Sequence, residues 1–176
     1  MERIMERIME RIMVRIIKSM FKGFNVIILM NSELLKLLDK ESRLSWINYF
    51  MSISILTSLR SPSVKKQVGC VIVRDNHIIA TGYNGFPAGV DHIPVLKNGK
   101  EINTIHAEQN AVSQCAKLGI SSDNGIMYVT HFPCINCSKI IIGSGIKTVY
   151  YLNDNHNEDS IELLEKSGIS LHKVKI

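Results

Sequence analysis

Two short motifs set the strongest limit on how this chain folds: His106-Ala107-Glu108 and, further along, Pro133-Cys134-Ile135-Asn136-Cys137. One imidazole and two thiols are a donor set that zinc accepts, and three protein donors leave a fourth position open, the pattern of a catalytic zinc site. To share one ion, these side chains must be carried to a single point from separate segments. Apolar periodicity begins a helix at each motif, so both stand where a loop enters a helix. A helix N-terminus carries partial positive charge, which favours thiolate over thiol and hence ligation by Cys134 and Cys137. His106 and Glu108 lie two residues apart and do not share a helix face. They converge only if the ion sits ahead of the helix end, near its axis. Glu108 is then the residue to move protons, because zinc lowers the pKa of its water to about 7.

The C-x-x-C pair alone also fits a structural zinc knuckle or a redox pair. A structural site asks for a fourth protein ligand, yet Cys70 and Cys115 fall in a predicted core strand and core helix, where a free cysteine acts as a small buried hydrophobe. His131, beside the second motif, either reaches a ligand or fills the wall of the pocket. His77, His92 and His172 read as surface or loop histidines and receive no role. Four cysteines, two of them in C-x-x-C and no secretory signal pattern, point to a reducing compartment, and the cytoplasm is the expectation.

With 176 residues and 45% apolar composition the chain can bury one good core but is short for two domains. Its formal charge of +5 is compatible with nucleic acid, a membrane surface or a phosphorylated small molecule. Much of the excess lies at the N-terminus, where MERI is repeated three times from Met1 to Ile12. A four-residue period encodes no packed fold, so residues 1–30 read as a low-complexity extension and 31–176 as the functional domain. The apolar run Phe24 to Met30 is too short to span a bilayer. Glu2, Glu6 and Glu10 argue against a mitochondrial presequence, which is poor in acid.

Within the domain, Leu44, Ile47, Met51, Ile55 and Leu59 are spaced three or four apart, predicting a core-facing helix that ends before Pro62. Val68 to Arg74 and Ile78 to Tyr83 predict a hairpin around Asp75-Asn76. A loop over Asn84 to Asn103 leads to a helix at Ile105 to Leu118 and a buried strand at Ile126 to Thr130. Pro133 is expected to open the next helix. Thr148 to Leu152 and Ser170 to Val174 predict strands, with a helix between them at Asp159 to Lys166 stopped by Gly168. Together these make an α/β fold, a mixed sheet with helices on its faces.

H-A-E followed by P-C-x-x-C resembles the signature of the zinc deaminases of nucleobases and nucleotides. Within that superfamily the chain is similar to the deoxycytidylate deaminases, in Arg60-Ser61, Gln67-Val68-Gly69, Thr81 to Pro87 (TGYNGFP), Ile105 to Ala111 (IHAEQNA) and Tyr128 to Cys137 (YVTHFPCINC), with Gly145-Ile146 beyond. These stretches run from about Leu44 to the C-terminus and are more specific together than the zinc motif alone. The resemblance implies a three-layer fold with a five-stranded mixed sheet, and one zinc per subunit on His106, Cys134 and Cys137. It also implies hydrolysis of dCMP to dUMP for thymidylate synthesis, with Glu108 as proton shuttle. By position, Asn84 would bind the deoxyribose and the backbone at Ala107 the base. Arg60, Lys66 and Lys65 are candidates for the 5′-phosphate, Lys65 being equally well a solvated lysine. His131 is a further candidate for substrate. His156 stands where such relatives carry a tyrosine against the base. The turn Gly82, Tyr83, Asn84 and Gly85 is similar to the segment that takes part in binding dCTP or dTTP effectors with Mg2+, in proteins that are commonly hexamers.

Some relatives hold a second zinc between that turn and H-A-E, where this chain offers only His92 besides His106. Rival readings keep the chemistry and change the substrate to dCTP, cytidine or a tRNA adenosine, or keep the zinc and drop catalysis, leaving a nucleotide-binding module. A tRNA substrate asks for a basic surface beyond the pocket, which the core sequence does not display. A binding module has no use for Glu108.

Overall fold

The computed structural model describes residues 43–97, 100–154 and 157–175. The low-complexity extension at 1–30 and the expectation for His156 lie outside the described residues. Four helices and seven strands follow in chain order: α1 (Trp46–Ser58), β1 (Gly69–Arg74), β2 (His77–Tyr83), β3 (Leu96–Lys97), β4 (Lys100–Glu101), α2 (Ala107–Leu118), β5 (Ile126–His131), α3 (Ile135–Gly143), β6 (Thr148–Asn153), α4 (Glu158–Lys166) and β7 (Ser170–Lys173). No described helix is long and apolar enough to cross a membrane.

The main sheet runs β2-β1-β5-β6-β7. β1 pairs antiparallel with β2 and with β5, whereas β5-β6 and β6-β7 are parallel. Asp75 and Asn76 close the β1-β2 hairpin with φ of 52° and 59°, the left-handed backbone that two-residue hairpin turns demand and that Asn and Asp tolerate. Every residue of β1 from Gly69 to Val73 is buried, because the sheet is covered on both sides. On one side α1 packs Phe50, Met51 and Ile55 against Val71, Val73 and Tyr128. On the other, Ala107, Ala111 and Cys115 of α2, Ile141 of α3 and Leu164 of α4 share a second cluster with Cys70, Ile72, Met127 and Val129. The result is the expected three-layer arrangement, and Cys70 and Cys115 are the core residues they were read to be.

Small side chains let α1 lie close to the sheet. Ser54 is fully buried, and its hydroxyl donates to Phe50 O at 3.0 Å and lies 3.0 Å from Tyr128 O, tying the helix to β5. At Gly69 the approach is closer still, since a Cβ there would sit 2.0 Å from Ser54 O and 2.5 Å from Ser58 N.

Three local expectations shift. Ile105 is not helical: it forms an isolated antiparallel bridge with Gly85, and α2 starts at Ala107. Pro133 stays outside α3, whose N-cap is Cys134. The stretch read as a loop from Asn84 to Asn103 contains the two-residue strands β3 and β4, paired at Leu96↔Glu101, too short for alternation to reveal.

Gly69→Ala forces a side chain into backbone atoms that cannot swing aside. The expected loss of stability lies at the upper end of the about 1–3 kcal/mol typical of overpacking. Urea unfolding should show it as a lower midpoint with an unchanged slope.

Candidate metal centre and active site

Two helix N-termini deliver the donors. His106 is the N-cap of α2 with φ −71° and ψ 156°, and Cys134 is the N-cap of α3 with φ −75° and ψ 167°, so both hold the extended backbone of a residue half inside a helix. His106 N donates to Gln109 Oε1 at 3.0 Å, which fixes the first turn of α2. His106 Nδ1 lies 3.6 Å from Cys134 Sγ and 3.4 Å from Cys137 Sγ, and all three donor atoms fall within 4.8 Å of one another. A tetrahedral zinc with Zn–N and Zn–S bonds of ordinary length separates nitrogen from sulfur by about 3.5 Å, so the donors stand at the spacing the ion needs.

The electrostatics fit a cation equally well. Hydrogen bonds with Cys137 and His106 pull the Cys134 thiol down to about 3. The Cys134 sulfur beside it and burial push the Cys137 thiol up instead, because a second thiolate has no positive charge to offset it. A divalent ion held by Cys134 and Cys137 would supply that charge. Among the described residues, this is the group of His, Cys, Asp and Glu side chains close enough to hold a metal.

Glu108 is 4% exposed. Burial pushes its carboxyl above the ordinary carboxylate range, and a backbone hydrogen bond and His106 work in the opposite direction. A buried carboxyl raised in this way gives and takes protons more readily near neutral pH than an exposed one.

The helix that carries Glu108 is docked by its own neighbours. A Cβ on Gly82 would lie 2.3 Å from Ala107 O and 2.5 Å from Ala111 N, so only glycine lets β2 meet the first turn of α2. Asn110 Nδ2 donates to Tyr83 O at 3.0 Å, one turn further along. Asn84 braces the other wall: its Oδ1 accepts from Val68 N at 2.7 Å and its Nδ2 donates to Lys66 O at 2.8 Å. Ser61 Oγ donates to Asn84 O at 2.7 Å, and Gly85 pairs with Ile105. The segment Gly82 to Gly85 therefore ties the 61–68 loop to the entrance of α2.

These walls enclose a cavity of about 210 Å³ in front of the donors. Of the residues expected at the site, Asn84, Ala107, Glu108, Lys66 and His131 line it along with His106 and Cys134, while Cys137 lies buried behind. Arg60 is exposed and does not line it. The structure adds Ser63, Val68 and Phe132 to the wall, none of which carries a motif of its own. Thr130 was also missed. Its hydroxyl takes the Gly69 N–H at 3.1 Å and touches His131 Nδ1 at 3.0 Å, a role that follows only from seeing β1 beside β5.

Elemental analysis of the purified protein should give about one zinc per chain, the stoichiometry of a three-donor site. His106→Ala and Cys137→Ala should each leave it substoichiometric. Full zinc content in either variant would place the ion elsewhere.

Residues 44–153 match the model of the cytidine and deoxycytidylate deaminase zinc-binding region. The chain is 45% identical over 139 residues to ComE operon protein 2 of Bacillus subtilis, covering 76% of this chain and 74% of that protein. It is 37% identical to the deoxycytidylate deaminase of Schizosaccharomyces pombe over 74% of this chain, but spans only 44% of that longer protein. A crystal structure of dCMP deaminase from the cyanophage S-TIM5 in complex with dCMP and dUMP superposes with a TM-score of 0.70 at 33% identity, over 76% of this chain and 100% of that one. A donor triad of this geometry, set in a zinc-binding region of this family, makes the chain a member of the cytidine and deoxycytidylate deaminase family.

Proposed function

We propose that this protein is a zinc-dependent deaminase that converts dCMP to dUMP with release of ammonia. The observation that carries the reading is the buried carboxyl of Glu108 beside a three-donor zinc site that opens into a cavity. A structural site would close the fourth position with protein and leave no room for a ligand. Similarity to proteins named deoxycytidylate deaminase selects the cytosine nucleotide among the possible substrates.

When bound, zinc supplies a water acidified to a pKa of about 7, the nucleophile for C4 of cytosine. Glu108 would hold the proton given up by the nucleophile and deliver it to N3 of the ring. It would then move the proton left on the oxygen newly bonded to C4 to the departing amine, so the C4=O forms as the C4–N bond breaks with neutral ammonia as the leaving group. Seated in the first turn of α2, Glu108 reaches the ring from the side of the metal donors, and the backbone at Ala107 borders the base. Asn84, with an amide that retains one N–H and one lone pair beyond its two backbone bonds, faces the sugar. Lys66 is the lysine that lines this cavity among the described residues and serves the 5′-phosphate, in preference to Arg60, which does not line it. In the same reading the Gly82 to Gly85 segment, joined to both the 61–68 loop and α2, is where a dCTP or dTTP effector with Mg2+ acts, in a homohexamer.

Loss of cytosine absorbance should be measured with dCMP, dCTP, deoxycytidine and cytidine side by side, and dCMP should give the highest kcat/KM. Glu108→Gln keeps size and hydrogen bonding but cannot shuttle protons, so kcat should fall by at least about a hundredfold while zinc content is unchanged. Inactivity of the wild-type protein on all four, or wild-type turnover by Glu108→Gln, would overturn the reading.

A further inference from the structure

Two cavities meet at one imidazole. Beside the metal-site cavity lies a second, of about 260 Å³, with Lys65, Gln67 and Asn153 in its wall, and Lys66 and His131 line both. His131 is held in one orientation. Thr130 is 1% exposed, and its Oγ1 accepts the Gly69 N–H while standing 3.0 Å from His131 Nδ1. A buried hydroxyl has one hydrogen to give and needs an acceptor for it. Among the described residues Nδ1 is the acceptor at hand that the Gly69 bond leaves for it, so the ring proton belongs on Nε2. Asn153 Nδ2 donates to Thr130 O at 3.0 Å, which anchors the same residue from β6. The ring stays neutral at physiological pH, because burial and then the positive Lys66 lower its pKa to about 4.

His131 therefore presents a single fixed donor, and among the described residues Nε2 has no hydrogen-bond partner. Among the described residues no carboxylate lines the second cavity, and Glu108 is the carboxylate in the first. A fixed N–H beside lysine cations matches a group that only accepts hydrogen bonds and carries negative charge. We propose that His131, through its Nε2–H, works with Lys66 to bind a phosphate oxygen of the substrate, making it the residue that selects phosphorylated over unphosphorylated cytosine compounds. This rests on the deaminase reading above and assigns the source of its substrate preference.

His131→Leu removes the donor and His131→Asn restores an N–H on a shorter stem. The readout is the ratio of kcat/KM for dCMP to that for deoxycytidine. In the leucine variant this ratio should fall about ten- to a hundredfold, the effect of one hydrogen bond to a charged group, mostly through KM, and the asparagine variant should recover part of it. Equal losses on both substrates, or an unchanged ratio, would show that His131 merely fills the wall. Circular dichroism and zinc content confirm that each variant folds. Titrating the wild-type protein with inorganic phosphate while following the His131 ring by 1H–15N NMR needs no turnover: Nε2–H should shift on binding, and a silent ring would overturn the proposal. If no cytosine compound is turned over but the ring still responds to phosphate, the deaminase reading fails and the phosphate assignment stands.

Discussion

The close approach of α2 to β2 at Gly82 is the contact on which the rest of the site depends. Ala107 O occupies the space a side chain would need, so the first turn of α2 rests directly on strand backbone. That contact sets the height of His106 and Glu108 above the sheet. β5, two strands across, then delivers Cys134 and Cys137 through the short loop after His131. Zinc bonds tolerate errors of about 0.2 Å, whereas helices on a sheet can slide by more. Backbone contact at Gly82, the Asn110 bond to Tyr83 and the Ser54 tie between α1 and β5 remove that freedom.

Placing both N-caps at the metal has a second consequence. Helix ends present unpaired N–H groups and partial positive charge, and here two of them face one point. Thiolate at Cys134 is favoured for that reason and through its partners, while burial holds the Glu108 carboxyl toward its protonated form. Neighbouring acids are thus pushed in opposite directions, one toward its ionised form and the other toward its protonated form. A fold that puts its helix termini and its core side by side obtains both from the same few residues.

Much of this was legible in the sequence because it is local. H-A-E and P-C-x-x-C fix donor types and spacing, and the apolar periods of α1 and β1 identify their core faces. The same period misled at Ile105, where an apolar residue serves a β-bridge to Gly85 and the helix waits for His106 to cap it. Pro133 suited a first helical turn by type, but the metal donor took the cap position after it. Roles that need a partner from another strand could not be read. Thr130 shows no motif, yet it links Gly69 to His131 across β1 and β5. Arg60 and Lys66 are both basic residues before the hairpin, and only the turn of the 61–68 loop around Asn84 separates the one that lines the cavity from the one that does not.

The proposed zinc site is open, with three protein donors and Glu108 beside the position left to solvent. Zinc-edge X-ray absorption on the zinc-loaded protein tests it most directly. An open site should show two sulfur scatterers at about 2.3 Å, one imidazole nitrogen at about 2.0 Å and one further light-atom ligand supplied by solvent. A third sulfur or a second imidazole would contradict it, since a site closed by protein is a structural one.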